Sequence, residues 1–171
     1  MYLMEHVIRP AVPNDLDFLV EIFRSCWLIS YKGLLPKEVQ EEMTAEKARQ
    51  MWSLSVQPHP DRITFIIEEN KVPVGVARVG VDVSNKTLGH LFSLYVHPNS
   101  AGRGIGTTLL KFVLSTLRER NFEEITLWVF KENAPTRKLY RTLGFVETGQ
   151  ERIDDRWRIP EIEMRALSKL F

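Results

Sequence analysis

The chain has 171 residues, 44% of them hydrophobic and 26% charged, with a formal net charge of +1. That composition suits one globular domain with a real core, expected to span residues 1–171. It lacks the basic surplus of a chain built mainly to hold nucleic acid. A lone cysteine, Cys26, excludes an intramolecular disulfide, four scattered histidines give no metal-ligand spacing, and no apolar run is long enough to cross a membrane.

The first ten residues carry no basic segment followed by an apolar one, so no leader is expected and the protein reads as cytoplasmic. His6 to Val12 reads as an edge strand. Asn14 and Asp15 offer a helix start, and Leu16, Leu19, Ile22, Phe23, Cys26 and Trp27 follow at helical spacing. Gly33 and Pro36 break that helix. Lys37 to Gln57 predicts one or two further helices with Thr44 as a cap at their junction.

The pattern then turns to strands. Ile63 to Glu68, Val74 to Val83 and Thr87 to Val96 are joined by short turns, which predicts an antiparallel meander. After Pro98 comes a glycine-rich loop and a helix from Gly104 to Arg120, with Ile105, Leu109, Val113 and Leu117 as its buried stripe. Ile125 to Phe130 is a strand, parallel to the one before the helix if the crossover follows the usual rule. Ala134 to Leu143 is a helix capped by Gly144, and Phe145 to Ile153 with Arg158 to Ala166 reads as a closing hairpin. The order predicts an α+β fold, a mixed and mostly antiparallel sheet flanked by helices in three layers.

The glycine loop carries the first chemical signal. Gly102, Gly104 and Gly106 allow close approach of a ligand to the backbone, and the first N–H groups of the following helix lack internal partners and carry partial positive charge. Such a site suits phosphate or pyrophosphate, with Arg103 adding charge and Thr107 or Thr108 a hydroxyl. The spacing is neither that of a P-loop, which needs Lys before Ser or Thr, nor the G-x-G-x-x-G of a dinucleotide fold.

Leu94-Tyr95-Val96-His97-Pro98, then Gly102-Arg103-Gly104-Ile105-Gly106, then Asn133 and Leu139-Tyr140 with Leu143-Gly144-Phe145 together resemble the two best-known motifs of the GNAT superfamily of acyl-CoA-dependent N-acyltransferases. The likeness is close from Thr87 to Phe145 and looser before it. Ala101 stands where the family usually has Arg or Gln, and Thr136 where it has a small Ala. The resemblance implies an enzyme that moves an acetyl group from acetyl-CoA to a small amine by direct transfer. The pyrophosphate of CoA would rest on residues 102–107, and its arm would run along Leu94, Tyr95 and Val96 where a bulge opens a cleft. Asn133 would contact the arm.

The same resemblance makes Tyr140 the acid for the departing thiolate; lying seven residues after Asn133, it shares a helix face with it. A backbone N–H near Tyr95 would stabilise the oxyanion. Many members carry a Glu four residues before the Leu of the first motif; His90 stands there, and an imidazole is suited to the base's task. Trp27 and Tyr31 lie where members build the acceptor pocket. Glu68, Glu69 and Asp82 read as a solvated face, His97 as exposed and Cys26 as a core thiol rather than a nucleophile. Acceptors from another class remain open, namely a peptide N-terminus or lysine, as does an acyl-CoA sensor without turnover. A homodimer through the C-terminal strands is the partner the family suggests.

Overall fold

A computed structural model describes residues 6–171. Its strands are β1 (His6–Pro10), β2 (Arg62–Glu69), β3 (Val72–Val81), β4 (Gly89–Val96), β5 (Glu124–Phe130), β6 (Val146–Ile153) and β7 (Pro160–Leu167). The helices are α1 (Leu16–Ser25), α2 (Lys37–Glu42), α3 (Ala45–Ser53), α4 (Ile105–Glu119) and α5 (Ala134–Thr142). The strands form one sheet in the order β1-β2-β3-β4-β5-β7-β6. The pair β4–β5 is parallel, joined through α4, and the neighbours on either side of it are antiparallel. No helix among the described residues is long and apolar enough to cross a membrane.

Each element follows from local chemistry. Thr44 caps α3 by accepting from the Lys47 N–H at 3.2 Å. Asn70 and Lys71 turn β2 into β3 with positive φ, and Gly144 at φ 95° ends α5. The first helix runs on past Ser25 as one π turn, Cys26–Ser30, before Gly33 at φ 81° reverses the chain. Strand boundaries differ from the sequence reading by up to two residues, and α3 ends at Ser53, four residues before Gln57, with a 3-10 turn over Leu54–Val56 after it. Strand β3 begins early, at Val72, because a bulge beside Ile67 and Glu68 absorbs Pro73 into the pairing.

The sheet separates two cores. On one face α4 lays down Ile105, Leu109, Leu110, Val113, Leu114 and Leu117, each at most 1% exposed, over Phe65, Ile67, Val79, Leu91 and Ile125. Burying those six side chains contributes on the order of 10 kcal/mol before chain entropy is charged against it. On the other face α1 and α3 bring Leu19, Phe23, Trp27 and Trp52 onto Ile66, Val76 and Phe130. The two faces sandwich β4, which sends Leu94 and Val96 to the first core and Tyr95 to the second.

Gly80 in β3 is a point of backbone contact. A Cβ built on it would lie 2.0 Å from the carbonyl oxygen of Asp61 and 2.8 Å from the Cα of Arg62, and backbone atoms cannot swing away. Only glycine lets the start of β2 lie so close against β3. Gly80→Ala should therefore destabilise the fold by about 1–3 kcal/mol, read as a fall of several degrees in Tm; an unchanged Tm would mean that the start of β2 is free to move.

Candidate functional site

The site begins where the sheet comes apart. Strands β4 and β5 pair only through Gly89–Ile125, His90–Thr126 and Leu91–Leu127. Just there the β3–β4 register slips: Val79 faces Leu91 while Arg78 faces Ser93, so Phe92 is an extra residue. Beyond it β4 stays on β3 and β5 stays on β7, and the two diverge. The gap is a cleft of about 640 Å³. Leu94 and Tyr95 line one wall, and Asn133, Thr136 and Tyr140 the other.

Backbone direction in the gap follows from one bond. The His97 N–H donates to the Val74 carbonyl at 2.8 Å. In an antiparallel ladder the groups of successive residues alternate in direction. Tyr95 therefore turns its N–H toward β3, and Leu94 and Val96 turn theirs toward the gap. The oxyanion donor expected near Tyr95 is thus to be sought at its neighbours. Consistent with that direction, the Val96 carbonyl accepts from the Cys26 thiol at 3.0 Å.

The glycine loop closes one end. Gly102 and Gly104 adopt φ of 76° and 80°, and no protein atom lies within 4 Å of where their Cβ would be. Gly104 precedes α4 without a side-chain cap, and the first intrahelical bond of the ladder is Thr108 N–H to Gly104 O at 2.9 Å. The N–H groups of residues 104–107 thus have no protein acceptor among the described residues. Gly106 packs against Val96, since its Cβ would lie 3.3 Å from a Val96 methyl, which joins loop and cleft. The Ile105 side chain is core, so only its backbone is available. The Thr108 hydroxyl bonds back to Gly104 O, Thr107 is half-buried, and Arg103 makes a two-armed pair with Glu69 at 2.7 and 2.9 Å.

Across the gap, Asn133 caps α5 by accepting from the Thr136 N–H at 3.4 Å. Seven residues on, Tyr140 is 5% exposed and packs on Phe145 at 5.7 Å between ring centroids. Its hydroxyl has no hydrogen-bond partner among the described residues, and it lines the cleft. Burial raises its pKa well above the ordinary tyrosine value, so it stays a proton donor across the neutral range.

His90 stands where β4 and β5 are still paired. Its Nδ1 lies 2.7 Å from Thr126 Oγ1 and 3.0 Å from Asp82 Oδ2, and the Thr126 hydroxyl donates to the same carboxylate oxygen at 2.8 Å. A carboxylate facing Nδ1 fixes the proton on that nitrogen and leaves Nε2 as an acceptor. Nε2 has no bonded partner among the described residues, and the ring lines the cleft. Asp82 is thus 5% exposed rather than part of a solvated face. Burial would raise its pKa, but bonds from His90, Ser84 and Thr126 outweigh burial and hold it well below the usual carboxylate range.

Several other residues are corrected by their positions. Trp27 does not reach the cleft: at 1% exposed it packs against Phe23 and Trp157 in the second core. Tyr31 does reach it, edge-on to Phe130 at 5.4 Å. Glu68 and Glu69 are not a free face either, being held by Arg9 and Arg103. His97 is half-buried and caps the turn after it by accepting from the Asn99 N–H at 3.2 Å. Cys26 is core as expected, its thiol pushed by burial up to about 11. Sequence reading missed Asp82, Arg62 and Arg78 as cleft residues, and Thr126 as the buried hydroxyl behind His90. The signal for two of them was alternation, since Arg78 and Asp82 share one face of β3 with Val76.

Comparison with known proteins agrees with this geometry. Residues 16–145 match the model of the Acetyltransferase (GNAT) family. An uncharacterized N-acetyltransferase of Methanocaldococcus jannaschii is 25% identical over 83% of this chain and 61% of its own length. The L-amino acid N-acyltransferase MnaT of Escherichia coli is 33% identical over 50% of this chain and 51% of its own. A spermidine N(1)-acetyltransferase of Thermoplasma acidophilum is 25% identical over 81% and 86%. The chain therefore spans well under two thirds of some relatives it matches. Among solved structures, the PaiA N-acetyltransferase of Thermoplasma acidophilum in complex with coenzyme A superposes with a TM-score of 0.73 at 22% identity, covering 96% of this chain and 99% of that one. With a splayed sheet, a glycine loop of unpaired amides and a family match over most of its length, this chain belongs to the GNAT acetyltransferase family.

Proposed function

We propose that the chain transfers an acetyl group from acetyl-CoA to the primary amine of a small acceptor, such as a polyamine or an amino acid, by direct transfer in one ternary complex. The observation that carries this reading is the gap itself. It sets the inward N–H groups of Leu94 and Val96 on one wall, an unbonded tyrosine hydroxyl on the other and free amides at one end.

The residues present fit the cofactor. Amides 104–107 at a helix start suit its pyrophosphate, and the open positions at Gly102 and Gly104 leave room for phosphate oxygens. The inward N–H groups of Leu94 and Val96 can pair with an amide-bearing arm as a strand would. When bound, acetyl-CoA supplies the thioester carbonyl that the amine attacks.

The chain's own groups account for the protons. His90 Nε2 takes one proton from the incoming ammonium, directly or through water, while Asp82 holds the imidazole in place. The Leu94 N–H faces the position where negative charge grows on the carbonyl oxygen. Tyr140 gives its proton toward the departing sulfur and regains one, through water, from the nitrogen that has attacked, while His90 returns its proton to solvent. A thiol of pKa about 8.5 is a fair leaving group, so modest help is enough. Cys26 offers no rival nucleophile, because its thiol is buried and donates to the Val96 carbonyl. Tyr31, Met51 and Trp52 crowd the second-core side of the cleft, which favours a small acceptor over a long peptide.

Three variants test the parts separately. Tyr140→Phe should lower kcat by roughly 10²–10⁴-fold with the KM for acetyl-CoA nearly unchanged; wild-type turnover in this variant would remove Tyr140 as the acid. Since burial raises the tyrosine pKa, the donor form outlasts the ordinary range, and wild-type kcat should show no tyrosine limb up to about pH 10. His90→Gln should depress kcat/KM for the acceptor by roughly 10²–10⁴-fold with the KM for acetyl-CoA nearly unchanged, while wild-type turnover would assign the base elsewhere. Gly104→Glu places a carboxylate against the pyrophosphate site and strains a backbone at φ 80°, so acetyl-CoA should no longer raise the melting temperature. A retained shift would mean that the loop is not the phosphate site.

A further inference from the structure

The charges lining the cleft do not cancel. Arg152 donates to Glu161 at 2.7 Å, and Arg156 makes a two-armed pair with Asp154 at 2.8 and 2.6 Å. Asp82 accepts from His90 and Thr126, both neutral, so its charge offsets part of the positive lining without touching a guanidinium. Two cations have no carboxylate in contact. Arg62 lies 4.2 Å over the ring of Phe92, and Arg78 donates to the Ser55 hydroxyl at 3.0 Å; neither has a carboxylate partner among the described residues.

Their placement is not incidental. Arg62 on β2 and Arg78 on β3 are diagonal neighbours, since Arg62 pairs with Gly80 and Thr64 with Arg78. Both line the cleft, on the sheet face that carries His90. Arg78 is half-buried, and its Nε is fully buried with no acceptor. Burial and, after it, the neighbouring Arg62 lower the pKa of Arg78. Two like charges at close quarters, one with an orphaned donor, cost free energy that an incoming anion would recover. Phe92 links this pair to the base. Its ring packs edge-on to His90 at 4.7 Å between centroids, with Arg62 on the same ring. An anion held by the two arginines would therefore lie a short span from Nε2.

We propose that the acceptor is an aminocarboxylate, its carboxylate bound by Arg62 and Arg78 and its amine presented to His90. The inference rests on the transferase reading and narrows it: a polyamine, all cation, would meet two uncompensated guanidinium groups at this wall. Of the two acceptor classes named among the relatives, the cleft charge favours the amino acid.

The test is acceptor-dependent thiol release from acetyl-CoA by the full chain. The acceptors are L-α-amino acids and short β- and γ-aminocarboxylates, the carboxamide of each, and spermidine. The carboxylates should exceed their own carboxamides in kcat/KM by at least tenfold, and spermidine should be poorer still. In Arg78→Gln that preference should shrink roughly ten- to a hundredfold through the acceptor KM, the loss expected for a charge-assisted contact, while Arg78→Lys restores part of it. Arg62→Gln should act in the same direction. The KM for acetyl-CoA serves as the folding control and should not move. Spermidine or carboxamides preferred over carboxylates would overturn the inference and leave the transferase reading standing. No thiol release with any amine would overturn both.

Discussion

One extra residue governs the site. Without Phe92, β4 would run in register with β3 throughout and could continue its parallel pairing with β5. With it, the strand bends after Leu91, and the two strands part at the middle of the sheet. Interior strand edges are normally paired because a buried, unbonded N–H or C=O is costly. Here the N–H groups of Leu94 and Val96 are left without a strand partner beside two hydrophobic cores. Helix α4 and its six buried residues hold one core, and α1 with α3 holds the other, so the gap cannot collapse by local adjustment. The bulge also changes which faces side chains take. Leu91 and Leu94, three apart, both pack on the α4 core, which strict alternation would forbid.

The same bulge sets the electrostatics. Phe92 touches both His90 and Arg62, so the imidazole and the cationic wall are tied to one ring. Below it, where β4 and β5 are still paired, Asp82, Thr126 and His90 close a buried triangle of hydrogen bonds. A buried carboxylate is tolerable only because every nearby donor points at it. Above it, burial raises the pKa of Tyr31, Tyr95 and Tyr140, and the nearby Tyr140 adds to the rise at the other two. The cleft thus grades from a charged floor around Asp82, Arg62 and Arg78 to a neutral wall of buried tyrosines.

Much of the fold was legible because its signals are local. Helix stripes, the cap at Thr44, the turn at Asn70 and Lys71 and the glycine loop each occupy a few adjacent residues. The pairing of Asn133 with Tyr140 on one wall was legible for the same reason, since seven residues on a helix fix a shared face. What failed depended on distance in sequence. Asp82 looked like surface because its partners, His90 and Thr126, come from β4 and β5, and the latter is 44 residues away. Trp27 looked like a pocket wall because helical spacing gives its face but not how deep the second core runs. The oxyanion donor could be placed only near Tyr95, because strand alternation cannot be read until one bond, His97 to Val74, fixes its phase.

Arg62 and Arg78 were invisible for a further reason. An arginine in a strand is unremarkable until its partners are counted, and the count requires every other charge in the cleft. Arg152 and Arg156 line the same space and are neutralised by Glu161 and Asp154. A fold that pairs those two and leaves the more deeply set pair unpaired is not short of carboxylates, since Glu68 and Glu69 on the same strand as Arg62 are spent on Arg9 and Arg103 instead. Their β-strand positions explain the allocation: Glu68 and Glu69 sit at the far end of β2, beside β1 and the glycine loop, some seven residues from Arg62. At about 3.3 Å per residue that separation exceeds 20 Å, beyond any side-chain reach. The cationic wall is therefore a product of strand geometry, and its neutralisation falls to whatever enters the cleft.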